Sequence, residues 1–340
     1  MKFLKTALIL SAMAAMVALS GCTACDNTNT SSSMPSTSSS SPSTSSSLPN
    51  ESGSVLPEGP SSSHSESSAS DHSTSSSSHS TSSSTVPTLS TDFSEIGALD
   101  GSLVKWGPGT HRDDRNRPSD LDPLQEKYEK YNCWFIGKEK GKIYLTFDEG
   151  YENGYTEKIL DVLKDKDVKA IFFVTGHYVK SNPELVQRMI DEGHMVGNHS
   201  DKHPVNGGYT TLPIDAVQDD VMSLHNMVKE QFDYNMSVFR YPEGAFSEQT
   251  AALLGKMGYK QLFWSFAYND WNADKQPDPA EARKKIVDSA HDGAIYLLHA
   301  VSSTNTAVLP DVIDELRGKG YEFALFDESI EQTPSSSTAD

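Results

Sequence analysis

Two acidic residues, Asp148 and Glu149, close the apolar run Ile143-Tyr144-Leu145-Thr146-Phe147 and are followed by Gly150. Further along, His199 and His203 stand in Asn198-His199-Ser200-Asp201-Lys202-His203-Pro204. Adjacent carboxylates are costly unless a cation or a proton separates their roles. One can bind a metal while the other takes a proton from the metal's water. If the histidine segment turns helically, both imidazoles lie on one side and can share that metal. Two imidazoles and one carboxylate leave a position open for water, as catalytic zinc sites require. The chemistry expected of these residues is metal-assisted hydrolysis. Read singly, the first motif is also compatible with a solvated acidic turn and the second with a surface loop.

Three further pieces follow. Phe239-Arg240-Tyr241-Pro242-Glu243-Gly244 sets an arginine beside a constrained turn, where Arg240 can hold a carboxylate in place and ionised. Asn269-Asp270-Trp271 follows one apolar run, and Leu297-Leu298-His299 ends the next. A histidine at a strand end, with an aspartate to orient it, suits a general acid. Alone, Arg240 and Asp270 read as structural ion-pair residues and His299 as a core histidine. His177, His194, His225 and His291 read as structural or exposed.

The elements that must position these groups show in the hydrophobic pattern. Strand-like runs cover 143–147, 170–174, 195–197, 238–240, 262–266, 294–298 and 322–326. Amphipathic stretches at 155–164, 183–192, 212–231, 247–257, 279–290 and 307–319 alternate with them, and Gly258, Gly293 and Gly320 sit where helices should stop. This alternation predicts an α/β fold, a distorted (β/α) barrel of about seven parallel strands with active residues at the strands' C-terminal ends. Residues 91–141 read as a lead-in that wraps the barrel, anchored by Trp106, Tyr128, Tyr131, Trp134 and Phe135, with one helix near 121–131. The catalytic domain is expected over 142–332 and a disordered tail over 333–340.

The N-terminal part predicts export. Residues 1–22 carry Lys2 and Lys5 before an apolar stretch and end in Leu19-Ser20-Gly21-Cys22, which resembles a bacterial lipobox. That resemblance implies lipidation of Cys22 and anchoring to the outer face of the bacterial cytoplasmic membrane, in the cell envelope. Residues 23–90 are mostly Ser and Thr, too poor in large apolar side chains to form a core, and read as a disordered tether with an r.m.s. span of roughly 45 Å. A net charge of −19 with little basic clustering argues against nucleic acid as a partner. Three cysteines in 340 residues make no disulfide framework.

With these segments in this order, the chain resembles the polysaccharide deacetylase family (NodB-homology domain, carbohydrate esterase family 4) from about residue 106 to 327. Within it the chain is most similar to the delta-lactam-biosynthetic de-N-acetylases. That likeness rests on Thr146-Phe147-Asp148-Glu149-Gly150-Tyr151-Glu152-Asn153-Gly154-Tyr155-Thr156, Phe172-Phe173-Val174-Thr175-Gly176-His177-Tyr178-Val179 and Gly293-Ala294-Ile295-Tyr296-Leu297-Leu298-His299.

The resemblance implies that Asp148 is the general base, and that Glu149, His199 and His203 bind a divalent metal, with Zn²⁺ first in expectation. Arg240 would orient Asp148, the backbone N–H of Glu243 would serve the oxyanion, and Asp270 would tune His299 as the acid. Trp271 and Leu297 would line the acetyl pocket, with Tyr241 in the groove wall. The implied function is metal-dependent N-deacetylation of peptidoglycan glycan strands by a monomer, with N-acetylmuramic acid the first expected sugar. N-acetylglucosamine or a chitooligosaccharide is the alternative. Glu149 stands where the family usually has aspartate, Tyr241 where it has proline, and Glu243 where it has an aromatic or basic residue. The first and last of these motivate a reading of another class, a membrane-tethered glycan-binding pseudoenzyme.

Overall fold

A computed structural model describes residues 86–327 of the chain. The expected signal peptide with Cys22, the Ser/Thr-rich tract up to residue 85 and the tail from 328 lie outside the described residues. In chain order the strands are β1 (Val104–Lys105), β2 (Cys133–Trp134), β3 (Lys142–Glu149), β4 (Ile171–Val174), β5 (Met195–Asn198), β6 (Val238–Phe239), β7 (Ala245–Phe246), β8 (Lys260–Leu262), β9 (Ala294–His299) and β10 (Glu322–Phe323). The helices are α1 (Ser94–Gly97), α2 (Leu121–Tyr128), α3 (Thr156–Asp165), α4 (Gly176–Ser181), α5 (Pro183–Asp191), α6 (Ile214–Phe232), α7 (Glu248–Lys256), α8 (Pro279–Asp288) and α9 (Ser303–Gly318). Among the described residues no helix is long and apolar enough to cross a membrane.

Strand β3 is the centre of the sheet. Every residue from Ile143 to Glu149 is buried, the mark of a parallel strand covered on both faces. It pairs in parallel with β9 along one edge. Along the other it pairs with β10 at its start and β4 at its end. The parallel order continues through β5, β6, β8 and β2. Beyond β8 the backbone turns to β9: Ser265 N donates to Ile295 O at 3.0 Å and Leu297 N to Phe266 O at 2.9 Å. These bonds close the curled sheet into the expected distorted barrel.

The same bonds explain why the run expected over 262–266 is assigned as a strand only to Leu262. Phe263 N bonds Trp134 O of β2, while Ser265 N and Phe266 O bond Ile295 O and Leu297 N of β9, so no single neighbour carries a regular ladder. Strand β2 was not expected at all. Two residues are too few for a period to show, and β2 wedges between β8 and β9, with Gly137 N donating to Gly293 O at 2.8 Å. Gly293 has φ 73°, and a Cβ on it would lie 2.0 Å from Gly137 O. Gly293→Ala is therefore expected to destabilise the domain by about 2–4 kcal/mol, read as a lowered urea midpoint.

The lead-in does more than wrap. Trp106, Tyr128, Trp134 and Phe135 are buried, as their apolar surface requires. Strand β1 pairs antiparallel with β7, and Trp106 Nε1 donates to Trp264 O at 2.8 Å. This clamps the segment onto the rim that carries Tyr241 to Gly244.

The helices lie close to expectation. Helix α3 buries Ile159, Leu160 and Leu163. Helix α7 starts at a capping box between Ser247 and Thr250. Helix α9 begins four residues earlier than its apolar pattern suggests, because Ser302 caps it through Asn305 N at 3.0 Å and its first turn is polar. Helix α4 was not expected. Thr175 caps it, accepting from Tyr178 N at 3.2 Å.

Candidate active site

The C-terminal ends of the parallel strands surround a cleft of about 820 Å³. Asp148, His199, His203, Tyr241, Leu297 and His299 are among the residues lining it. Asp148 on β3 and His299 on β9 are register partners on adjacent strands, so the sheet sets the two groups side by side.

Arg240 lies behind Asp148 with no exposed surface. Its Nη1 donates to Asp148 Oδ1 at 2.8 Å and to Thr146 Oγ1 at 2.7 Å. Nε and Nη2 donate to Leu262 O and Phe263 O, and the guanidinium sits 4.1 Å from the Phe173 ring centroid. A buried cation with this many acceptors is fixed in place. Thr146 was not singled out from the sequence. The signal was there, since a residue two before Asp148 on a strand faces the same way.

Burial alone would raise the Asp148 carboxyl, but the charges of Arg240, His199 and His299 outweigh it and hold the group below the usual carboxylate range. His299 is the converse. Burial pulls its imidazole down, yet the hydrogen bond and charge of Asp270, with Asp148 added, leave it raised. The two groups are thus shifted in opposite directions, toward carboxylate and imidazolium.

Asp270 is fully buried and grips His299 twice, through the ring Nδ1 to Oδ1 and the backbone N to Oδ2, each at 2.8 Å. Asn305 donates to Asp270 Oδ2 at 2.6 Å and to His299 O at 3.1 Å, while accepting from the Tyr268 hydroxyl. Nothing in the sequence pattern pointed to Asn305, which lies on α9 and reaches Asp270 only through the fold.

The histidine segment is not helical. Ser200 and His203 have φ of 76° and 47°, so the chain turns through the left-handed region instead. The imidazoles still meet, with ring centroids 5.0 Å apart in an edge-on arrangement. His199 Nδ1 lies 2.9 Å from Arg240 O, and a carbonyl only accepts, so Nδ1 carries the proton. Burial lowers the His199 pKa to about 4, leaving the ring neutral with Nε2 bare and 3.5 Å from Asp148 Oδ2.

Glu149 overturns the expected ligand set. Adjacent residues on a strand point to opposite faces, and β3 runs through Glu149. With Asp148 turned to Arg240 and the cleft, Glu149 turns toward α3. It is fully buried, is not among the residues lining the cleft, and meets the Thr156 hydroxyl at 3.5 Å. Among the described residues its Oε2 has no hydrogen-bond partner. Burial, then the charges of Glu152 and Asp148, push its pKa well above the usual value. Among the described residues no group of three or more His, Cys, Asp or Glu side chains is disposed to hold a metal ion. The expected Zn²⁺ ligands Glu149, His199 and His203 therefore do not fit as one centre.

Glu149→Gln tests this placement. A raised carboxyl binds its proton more tightly folded than unfolded, so the wild type loses stability as pH rises above the unfolded carboxylate range. The glutamine chain lacks that loss. It is expected to be the more stable by urea melts at pH 7, with the gap narrowing at pH 4, and to keep acetate release within about threefold, as expected for a group off the cleft.

The other expected site residues fall as follows. Glu243 has φ 55°, a left-handed conformation costing about 1–2 kcal/mol, and its side chain pairs with Lys105 at 3.5 Å on the cleft rim. Tyr241 lines the cleft but its hydroxyl donates to Gln261 Oε1 at 2.7 Å. Leu297 is a buried part of the wall. Trp271 is 59% exposed, so it stands at the mouth with Tyr151 rather than enclosing a small pocket. His177 is exposed at the same rim, whereas His194, His225 and His291 are buried with structural partners.

Comparison with known proteins agrees with this architecture. A family model described as polysaccharide deacetylase matches residues 136–262. The peptidoglycan-N-acetylmuramic acid deacetylase PdaA of Bacillus subtilis is 42% identical over 238 residues, 69% of this chain and 89% of that protein. The peptidoglycan-N-acetylglucosamine deacetylase PgdA of Listeria monocytogenes is 37% identical over 191 residues, 56% of this chain and 39% of that protein. The solved structure of Bacillus subtilis PdaA, a family 4 carbohydrate esterase, matches with a TM-score of 0.62 at 40% identity, covering 66% of this chain and 95% of that one. A relative this similar over nearly its whole length, joined to a barrel whose cleft presents Asp148 and His299 with Arg240 and Asp270 buried behind them, assigns the chain to the polysaccharide deacetylases of carbohydrate esterase family 4, hydrolases of N-acetyl amino sugars.

Proposed function

We propose that this chain removes the N-acetyl group from amino sugars of peptidoglycan glycan strands, with N-acetylmuramic acid the preferred residue. The observation that carries the hydrolytic part is the Asp148–His299 pair, in register on adjacent strands with one group shifted down and the other up. The preference for the muramic sugar is supported by the 42% identity to a protein named for that activity.

An amide needs a base for the attacking water and an acid for the leaving amine, each worth roughly 10²–10⁴ in rate. Asp148, held ionised by Arg240, takes the proton from a water attacking the acetamide carbonyl. A water beside Asp148 Oδ2 also meets the bare Nε2 of His199, which orients it. The left-handed turn at Glu243 fixes its backbone N–H direction, and we assign that N–H to the developing oxyanion. His299 gives its proton to the departing amine. Arg240 and Asp270 position the base and the acid. Exposed Trp271 and Tyr151 offer flat faces for sugar rings at the mouth. Members of the family are in general metal-dependent. In this chain the base and acid above are assembled without the expected third ligand.

We place the activity in the cell envelope, where its substrate lies, with the N-terminal segment as the tether. The test is mass spectrometry of purified glycan strands after incubation with the chain. Acetate loss from muramic residues supports the proposal. Loss only from N-acetylglucosamine, or only from chitooligosaccharides, supports the alternative sugar. Glycan binding with no acetate release from any strand supports the pseudoenzyme.

A further inference from the structure

The loop that carries His199 and His203 is held in a shape it would not adopt unaided. Ser200 and His203 both lie in the left-handed region, which costs a non-glycine residue about 1–2 kcal/mol each. A loop so bent keeps its shape only where its surroundings over-determine it. Here the surroundings converge on one side chain of α6, Asp220, which is 3% exposed.

Asp220 Oδ2 accepts three hydrogen bonds: from Ser200 Oγ at 2.7 Å, from Asp201 N at 3.2 Å and from the Tyr209 hydroxyl at 2.6 Å. Ser200 Oγ in turn accepts from His203 N at 2.9 Å. A two-bond path thus runs from Asp220 through Ser200 to the backbone of His203. Asp220 Oδ1 is buried and, among the described residues, has no hydrogen-bond partner. A buried carboxylate with one oxygen unsatisfied is expensive, and an apolar side chain would serve the core better. Such a local cost is characteristic of residues kept for a site. Asp201, next in the loop, is tied separately to Lys180 and Ser223, so Asp220 is the α6 side chain whose bonds lead to the His203 backbone, while His199 is held in addition by Arg240 O.

We propose that Asp220, assisted by Tyr209, is the positioning residue for the His199–His203 pair. It touches neither the cleft nor a reacting atom. It sets where the two imidazoles stand by holding the left-handed turn between them. A displacement of about 1 Å at such a group costs on the order of 10²-fold in rate. The kinetic consequence rests on the deacetylase reading; the placement of the imidazoles does not.

The experiment uses the full chain with Asp220→Ala, Asp220→Asn and Tyr209→Phe, and Ser223→Ala as a control that leaves all three Asp220 bonds in place. Imidazole ring signals are followed by NMR, and kcat and KM by acetate release from peptidoglycan strands. Asp220→Ala is expected to shift the His199 and His203 ring signals, leave those of His194 and His291 unmoved, and lower kcat about 100-fold with KM within threefold. Asp220→Asn and Tyr209→Phe should move the same two rings by less, with kcat losses of about tenfold or under. Ser223→Ala should move neither. A folded Asp220→Ala chain with native ring signals and native kcat would overturn the proposal. If that chain does not fold, native ring signals in both Asp220→Asn and Tyr209→Phe overturn it equally. Shifted rings with no acetate released by the unaltered chain would uphold the positioning role and count against the deacetylase reading alone.

Discussion

Asp148→Asn is expected to lower kcat for acetate release by about 10³-fold while KM stays within a few-fold. Asparagine keeps the shape and can still accept from Arg240 Nη1, so the cleft should bind glycan as before. What it cannot do is take a proton. A second, independent consequence follows from burial. Arg240 has no exposed surface, and Asp148 is the carboxylate that balances it. Removing one partner of a buried pair leaves an uncompensated charge, at a cost of about 3–5 kcal/mol, reduced here because the amide oxygen and three other acceptors remain. We expect a loss of roughly 2–3 kcal/mol at pH 7 by urea denaturation. The pH dependence has a fixed sign. The folded-state pKa of Asp148 is depressed, so its contribution is present above the unfolded carboxylate pKa and is lost as pH falls through the folded one. The gap between wild type and Asp148→Asn should therefore close on acidification. Native turnover in a well-folded Asp148→Asn chain would falsify the assignment of the base.

Much of this site was legible before the fold was known, and the reasons are local. Asp148, Arg240 and His299 each sit at or beside the end of an apolar run, and in a parallel α/β sheet those ends share one face. Asp270 announced itself by following such a run. Glu149 was misread because adjacency in sequence looks like proximity in function, whereas on a strand it means opposite faces. The helical turn expected of the histidines failed for a different reason. The spacing suited a helix, but Asp220 and Tyr209 hold the segment in left-handed backbone that no spacing rule encodes. Asn305 and Asp220 were invisible because each acts across the fold. The first stands 35 residues from Asp270 and the second 20 from Ser200. Strand β2 was hidden by its length. Its pairing to β8 depends on a register that only the closed barrel supplies.

His299 carries the second large effect. His299→Gln is expected to lower kcat by roughly 10²–10³-fold, since an amide leaves poorly unless its nitrogen is protonated. The pH profile separates this role from a structural one. With Asp148 depressed and His299 raised, kcat/KM should be bell-shaped, its acid limb below the usual carboxylate range and its alkaline limb above the ordinary imidazole value. His299→Gln should lose the alkaline limb and keep the acid one. Asp270→Asn should move the alkaline limb down rather than remove it. Burial alone pulls the His299 imidazole down, and the Asp270 carboxylate is the main opposing influence. Without that charge the imidazolium gives up its proton at lower pH, so activity near neutrality falls even though the ring remains. Asparagine at 270 keeps the shape but has one acceptor oxygen where aspartate has two, so it can accept either from His299 Nδ1 or from His299 N and Asn305, and the loss of charge is joined by the loss of part of this grip. An alkaline limb that stays in place in both variants would assign the proton donor to another group. One that moves only in Asp270→Asn and persists in His299→Gln would show that Asp270 acts through a different acid.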